Sequence, residues 1–253
     1  MSHALIRLGA IALASGAALG AVAGTAGAAT AGSSGDSGAN AVPASLAGIK
    51  AKAATDITDR VTSLNGAIGK VNAAKGLGAS QAALVSYLVT DIAPLQQLNQ
   101  TIQGDSTVRQ ASHDFGTIFS DYRVYRLVLP ATWIAADADH ATATAIPNLT
   151  ADAAKAQARV TLANQATVQP LINGLNGQIS TATNATNGLA ATVLAFTPAQ
   201  WDADNALLDA SKSSSQAATA ALQKGRADVK QIVQDLQRDH AAAAADTTTT
   251  TTA

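Results

Sequence analysis

The chain has 253 residues, 13% of them charged, and a formal net charge of −1 with both signs mixed along its length. That balance excludes a basic footprint for nucleic acid and an acidic tail for a polycation. The absence of cysteine excludes disulfides, thiolate metal sites, cysteine nucleophiles and a lipid-modified cysteine. Hydrophobic residues make up 47%, with alanine the largest contributor. Alanine favours helix because it loses no side-chain entropy, but it buries little area at roughly 25 cal/mol per Å². The expectation is strong local helix around a thin core. All seventeen acidic residues are aspartate, which prefers caps and first turns to helix interiors.

Residues 1–28 read as a signal peptide. His3 and Arg7 form a weakly basic start, residues 8–23 an apolar run, and Ala26-Gly27-Ala28 a small-residue cleavage site. Gly and Ser within the run make it a poor membrane anchor, and no later segment reads as a stable membrane span. The expected location is therefore secreted or cell-envelope associated, after cleavage near Ala28. Residues 29–44 read as a flexible Gly/Ser leader. Residues 241–253, an alanine run followed by threonines, read as a disordered tail, or as a wall-proximal tail carrying sugar.

Between these ends the spacing predicts helices. Ile57, Val61, Leu64, Ile68 and Val71 line one face, and Gly76 and Gly78 end that helix. Ser80 is a candidate cap for a second helix carrying Leu84, Leu88, Ile92, Leu95, Leu98 and Ile102, with a kink near Asp91 caused by Pro94. Asp105 or Ser106 would cap a third helix over 108–119. Residues 122–129 suit a strand by composition, but no partner strand is evident. The favoured reading is a helical turn running into an extended connection. A fourth helix is expected from Pro130 to about residue 165, bent at Pro147. A fifth follows Pro170 with Ile172, Leu175, Ile179, Leu189, Val193 and Phe196. Thr197-Pro198 opens the last, which reaches about His240. Seams of 3.5-residue spacing imply coiled-coil-like packing. The expected fold is all-α, an elongated antiparallel helical bundle over 45–240. It is either one domain or two sub-bundles, 45–169 and 170–240.

The segment Tyr122-Arg123-Val124-Tyr125-Arg126-Leu127-Val128-Leu129-Pro130 resembles a Tyr-Arg-(Ile or Val)-Tyr-x-Leu-Val-x-Pro signature in a family of exported bacterial helical proteins with no established activity. The resemblance covers roughly residues 47–165. It implies export and a helical, coiled-coil-like body, and transfers no catalytic role.

Five of the eight aromatic residues, Phe115, Phe119, Tyr122, Tyr125 and Trp133, cluster around that segment. Tyr122, Arg123, Tyr125 and Arg126 are the candidate ligand-binding residues, because paired guanidinium groups can fork around carboxylate or phosphate oxygens. The plainer reading neutralises them with Asp121 or Asp137. Trp133 and Trp201 read as plugs at bundle ends. Asp137 and His140 share a helical face, with His113 and Asp114 in the preceding helix, but two ligands are too few for a metal, so no metal and no cofactor are expected. No Gly-x-Ser-x-Gly elbow, Ser–His–Asp arrangement or phosphate loop is present. The functional expectation is a non-enzymatic structural or interaction element of the cell envelope, partnered by an envelope polymer or another envelope protein. The alternative is a soluble extracytoplasmic protein that binds an anionic ligand through residues 122–126. An amphipathic protein acting on membranes ranks below both, for want of large apolar and Lys/Arg-rich faces. Oligomeric state stays open.

Overall fold

Helix begins at Leu46 because Ser45, in an extended conformation, turns its hydroxyl onto the Gly48 amide at 3.1 Å. This computed structural model describes residue 43 and residues 45–249, with side chains through 242. The signal peptide, all but residue 43 of the leader, and residues 250–253 lie outside the described residues. Among the described residues the chain is all-α, with no strand.

The first helix, α1 (Leu46–Ala73), buries Ile49, Ala53, Ile57, Arg60, Leu64, Ala67 and Val71. Val61 and Ile68, expected on the seam, are half-buried at its flank. Gly76 and Gly78 end the helix in left-handed conformations. Ser80 is the first residue of α2 (Ser80–Val89) rather than its cap, which is Ala79. The side-chain amide of Gln81 donates to the Val71 and Asn72 carbonyls at 3.0 and 2.9 Å, satisfying the exposed end of α1. The break before α3 (Ile92–Gly104) falls at residues 90 and 91, as Pro94 requires. Thr107, not Asp105 or Ser106, caps α4 (Val108–Ser120).

Residues 122–129 do not become an extended connection. Val124–Val128 forms a π turn that runs directly into α5 (Leu129–His140). A second π turn, Ala141–Ala145, joins α5 to α6 (Ile146–Gln157). Each π turn ends two residues before a proline, Pro130 or Pro147. A proline ring crowds the carbonyl four residues back. Widening the turn moves the bond one residue further, so the Leu129 amide reaches the Val124 carbonyl and the Ile146 amide that of Ala141.

Helix α6 ends at Gln157, short of the residue 165 expected as the end of the helix from Pro130. The following turn is braced by Asn164, which accepts from the Thr161 amide at 2.7 Å and donates to the Arg159 carbonyl at 3.2 Å. Next, α7 (Gln165–Thr186) starts before Pro170 and contains it. Gly188, at φ 68°, then separates α7 from α8 (Leu189–Leu194). A capping box between Thr197 and Gln200 opens α9 (Pro198–Ala203). Finally α10 (Asp209–Thr249) continues past His240. The alanine run expected to begin a disordered tail at residue 241 is helical to Thr249, consistent with alanine's propensity.

The buried residues form two clusters. One joins α1 to α5 with α8, α9 and Leu208, and holds Leu64, Leu88, Ile102, Phe115, Leu127, Val193 and Trp201. The other joins α6, α7 and α10 through Leu149, Ile172, Leu175, Leu222 and Ile232. The described residues belong to one compact unit, within which the buried clusters change over between Ala138 and Ala141 and residues 189–208 return to the first cluster. No described helix is long and apolar enough to cross a membrane.

Candidate functional site: the aromatic and basic segment

The segment is set in place by α4. The rings of Phe115 and Phe119 meet edge to face, centroids 5.3 Å apart, and both pack in or against the first cluster. Past Ser120 the chain turns sharply at Arg123, whose φ of 43° makes it the non-glycine residue with left-handed backbone among the described residues. That conformation costs a branched or long side chain of order 1 kcal/mol. Its carbonyl then accepts from the amides of Arg126, Leu127 and Val128, at 3.2, 2.8 and 3.3 Å. Val124, Leu127 and Val128 are buried.

The four predicted residues have separate surroundings. Tyr122 faces the carboxylate of Asp91 at the α2–α3 break, and burial, then Asp91, then Asp121, push its hydroxyl pKa upward. Arg123 forms an ion pair with Asp202 of α9 at 2.5 Å. The Tyr125 hydroxyl lies 3.2 Å from Ser63 Oγ on α1, while the residue stays 43% exposed. Arg126 is exposed beside it. Arg123, one half of the expected anion fork, is thus already engaged within the chain by Asp202.

Arg60, which the sequence reading passed over, organises this region. It is 6% exposed, and its guanidinium lies 4.6 Å from the Phe119 ring centroid and 5.2 Å from that of Tyr125. Its Nη1 donates to the Asp56 carbonyl at 2.9 Å. Lys52 lies 5.9 Å from the Phe115 ring and Lys70 5.7 Å from the Trp133 ring. One edge of α1 therefore presents cations, at residues 52, 60 and 70, to aromatic rings carried by α4, the first π turn and α5. Such contacts strengthen as water is excluded.

A second polar group lies at the α2–α3 break. Asp91 has helical rather than extended backbone and makes no side-chain cap bond to α3, whose third residue, Pro94, has no amide hydrogen to offer. Burial pushes its carboxyl up to about 6. Tyr87, one turn earlier on α2, is pushed up to about 12 by burial and then by Asp91.

The residues considered for a metal do not come together as a set of ligands among the described residues. Burial pushes the Asp137 carboxyl up to about 6, and His140 Nδ1 is buried without a hydrogen-bond partner among the described residues. His140 packs on Gly76, whose carbonyl accepts from the Thr144 hydroxyl at 3.0 Å. Trp201 is buried at 7% exposure in the first cluster, and Trp133 packs against the same cluster. The chain matches no protein-family model, no curated protein and no solved structure.

Proposed function

We propose that the chain is an exported, non-enzymatic helical protein that acts as a structural or interaction element of the cell envelope. In this reading an elongated antiparallel bundle with coiled-coil-like packing presents a lateral face to an envelope polymer or another envelope protein. The observation that carries it is the Arg123–Asp202 ion pair, together with the stacking of Arg60 on Phe119 and Tyr125. Both engage this side-chain chemistry between helices of the same chain. Fractionating producing cells into cytoplasm, membrane, wall and medium tests the reading. Mature protein in the wall or medium supports it, and full-length protein confined to the cytoplasm overturns it.

A second reading, recognition of an anionic ligand, draws on the exposure of Tyr125 and Arg126 side by side. Replacing Arg123 and Arg126 with Gln separates the two. Loss of retention on envelope polymer with unchanged stability favours binding, whereas lower stability with retention intact favours the structural role.

A further inference from the structure

Residues 187–208 leave α7, cross to the first cluster and return as the start of α10. They place Leu189, Val193, Trp201 and Leu208 among its buried residues. Their own helices, α8 and α9, have six residues each, too short to persist without packing. Neither junction of the segment is continuous helix. Gly188 stands at φ 68° with nothing within 4 Å of where a Cβ would lie, and residues 204–208, between α9 and α10, are non-helical. Meanwhile α7 and α10 share the second cluster with α6 and need no residue of the segment to do so.

The docked position holds features that stabilise it and features that cost. Burial of four large apolar side chains and the Arg123–Asp202 pair stabilise it. Against them stand two buried donors, Arg123 Nε and Trp201 Nε1, that meet no acceptor among the described residues. A buried donor without an acceptor is a cost that release to water removes.

We propose that residues 187–208 form a releasable strap, latched to the Tyr/Arg turn by Arg123 and Asp202 and seated by Trp201. It lifts as a unit while α6, α7 and α10 stay packed. Lifting breaks the ion pair, frees both donors to meet water, and uncovers the part of α5 on which α8 rests. This inference goes beyond the proposed function and stands whatever the envelope role is.

Amide hydrogen exchange by mass spectrometry on the full chain tests it, using the wild type, Asp202→Asn and the charge exchange Arg123→Asp with Asp202→Arg. In Asp202→Asn, amides of residues 187–208 should exchange about fivefold faster, with those of α7 and α10 unchanged. The charge exchange should restore slow exchange, since aspartate tolerates the left-handed position. In the wild type, raising salt from low to high should accelerate the strap selectively, a readout that does not depend on any variant folding. Unchanged strap exchange in both comparisons, or equal acceleration of the strap with α7 and α10, overturns the proposal.

Discussion

The guanidinium of Arg60 lies between two aromatic rings, 4.6 Å from that of Phe119 on α4 and 5.2 Å from that of Tyr125 on the π turn. It occupies a core position of α1, three residues after Ile57 and four before Leu64. A charged side chain thus fills a place that a leucine would fill in a plain seam. Its hydrocarbon stem supplies burial, and its planar head joins two elements that no aliphatic side chain could bond. Arg60→Ala should lose about 2–3 kcal/mol of stability in urea titration, through lost packing, two stacking contacts and the bond to Asp56. A double-mutant cycle with Phe119→Leu should return a coupling of about 1 kcal/mol. Additivity within error would show that the stacking contributes nothing.

Asp91 makes stability depend on pH in a defined direction. Its carboxyl has an ordinary value of 3.8 and is raised to about 6 by burial in the folded chain. The folded state therefore holds the proton over a pH range where the unfolded state has released it. This contribution is fully present below 3.8 and is lost as pH rises through about 6. Asp91→Asn should remove the dependence and stabilise the chain at pH 7.5, by no more than about 2 kcal/mol once partial solvation is allowed for. The measurement is the difference between variant and wild type in urea titrations at pH 4.5, 6 and 7.5. A difference constant with pH would refute the assignment.

How much of this was legible in the sequence follows from where the information sits. The helices of the first half were readable because apolar spacing is local, and the break at Asp91 because proline acts on its own turn. The π turns were not read. Pro130 and Pro147 each stand in the first turn of a helix, and each also follows a widened turn that their spacing alone does not spell out. Arg60 was legible by position and overlooked by type. Asp202 was not legible at all, because its pairing with Arg123 depends on a strap that crosses between two clusters, and no local pattern encodes that crossing. Residues 241–249 are helical, since an alanine run needs no apolar period to favour helix.

Two of the left-handed glycines, Gly76 and Gly188, should respond unequally to alanine. At Gly76, with φ 82°, a Cβ would lie 2.6 Å from Thr144 Oγ1 and 2.9 Å from His140 Nδ1. Gly188, at φ 68°, has open space. Gly188→Ala should therefore cost only the backbone term, about 1 kcal/mol. Gly76→Ala should cost about 2–4 kcal/mol, because the clash also breaks the Thr144 bond to the Gly76 carbonyl. Equal losses in urea titration would mean that the contacts over Gly76 yield freely.

The seam between α7 and α10 makes a sharper test of packing. A Cβ on Gly225 would lie 3.0 Å from Leu149 Cδ1 and 3.3 Å from Leu175 Cδ1. Leu175 is fully buried and Leu149 is 5% exposed, so neither methyl has free room to retreat. Alanine at a helical glycine ordinarily gains about 1 kcal/mol, and Gly66→Ala, with nothing within 4 Å of the new Cβ, should show that gain. Gly225→Ala should instead lose about 1 kcal/mol, with crowding outweighing propensity. Trimming the neighbour decides the cause. In a Leu149→Ala background, itself costly by about 2–4 kcal/mol, the nearest obstruction is gone. Gly225→Ala should then change sign and stabilise. If it destabilises both backgrounds equally, the close approach of α6 to α10 at Gly225 is not what requires glycine there.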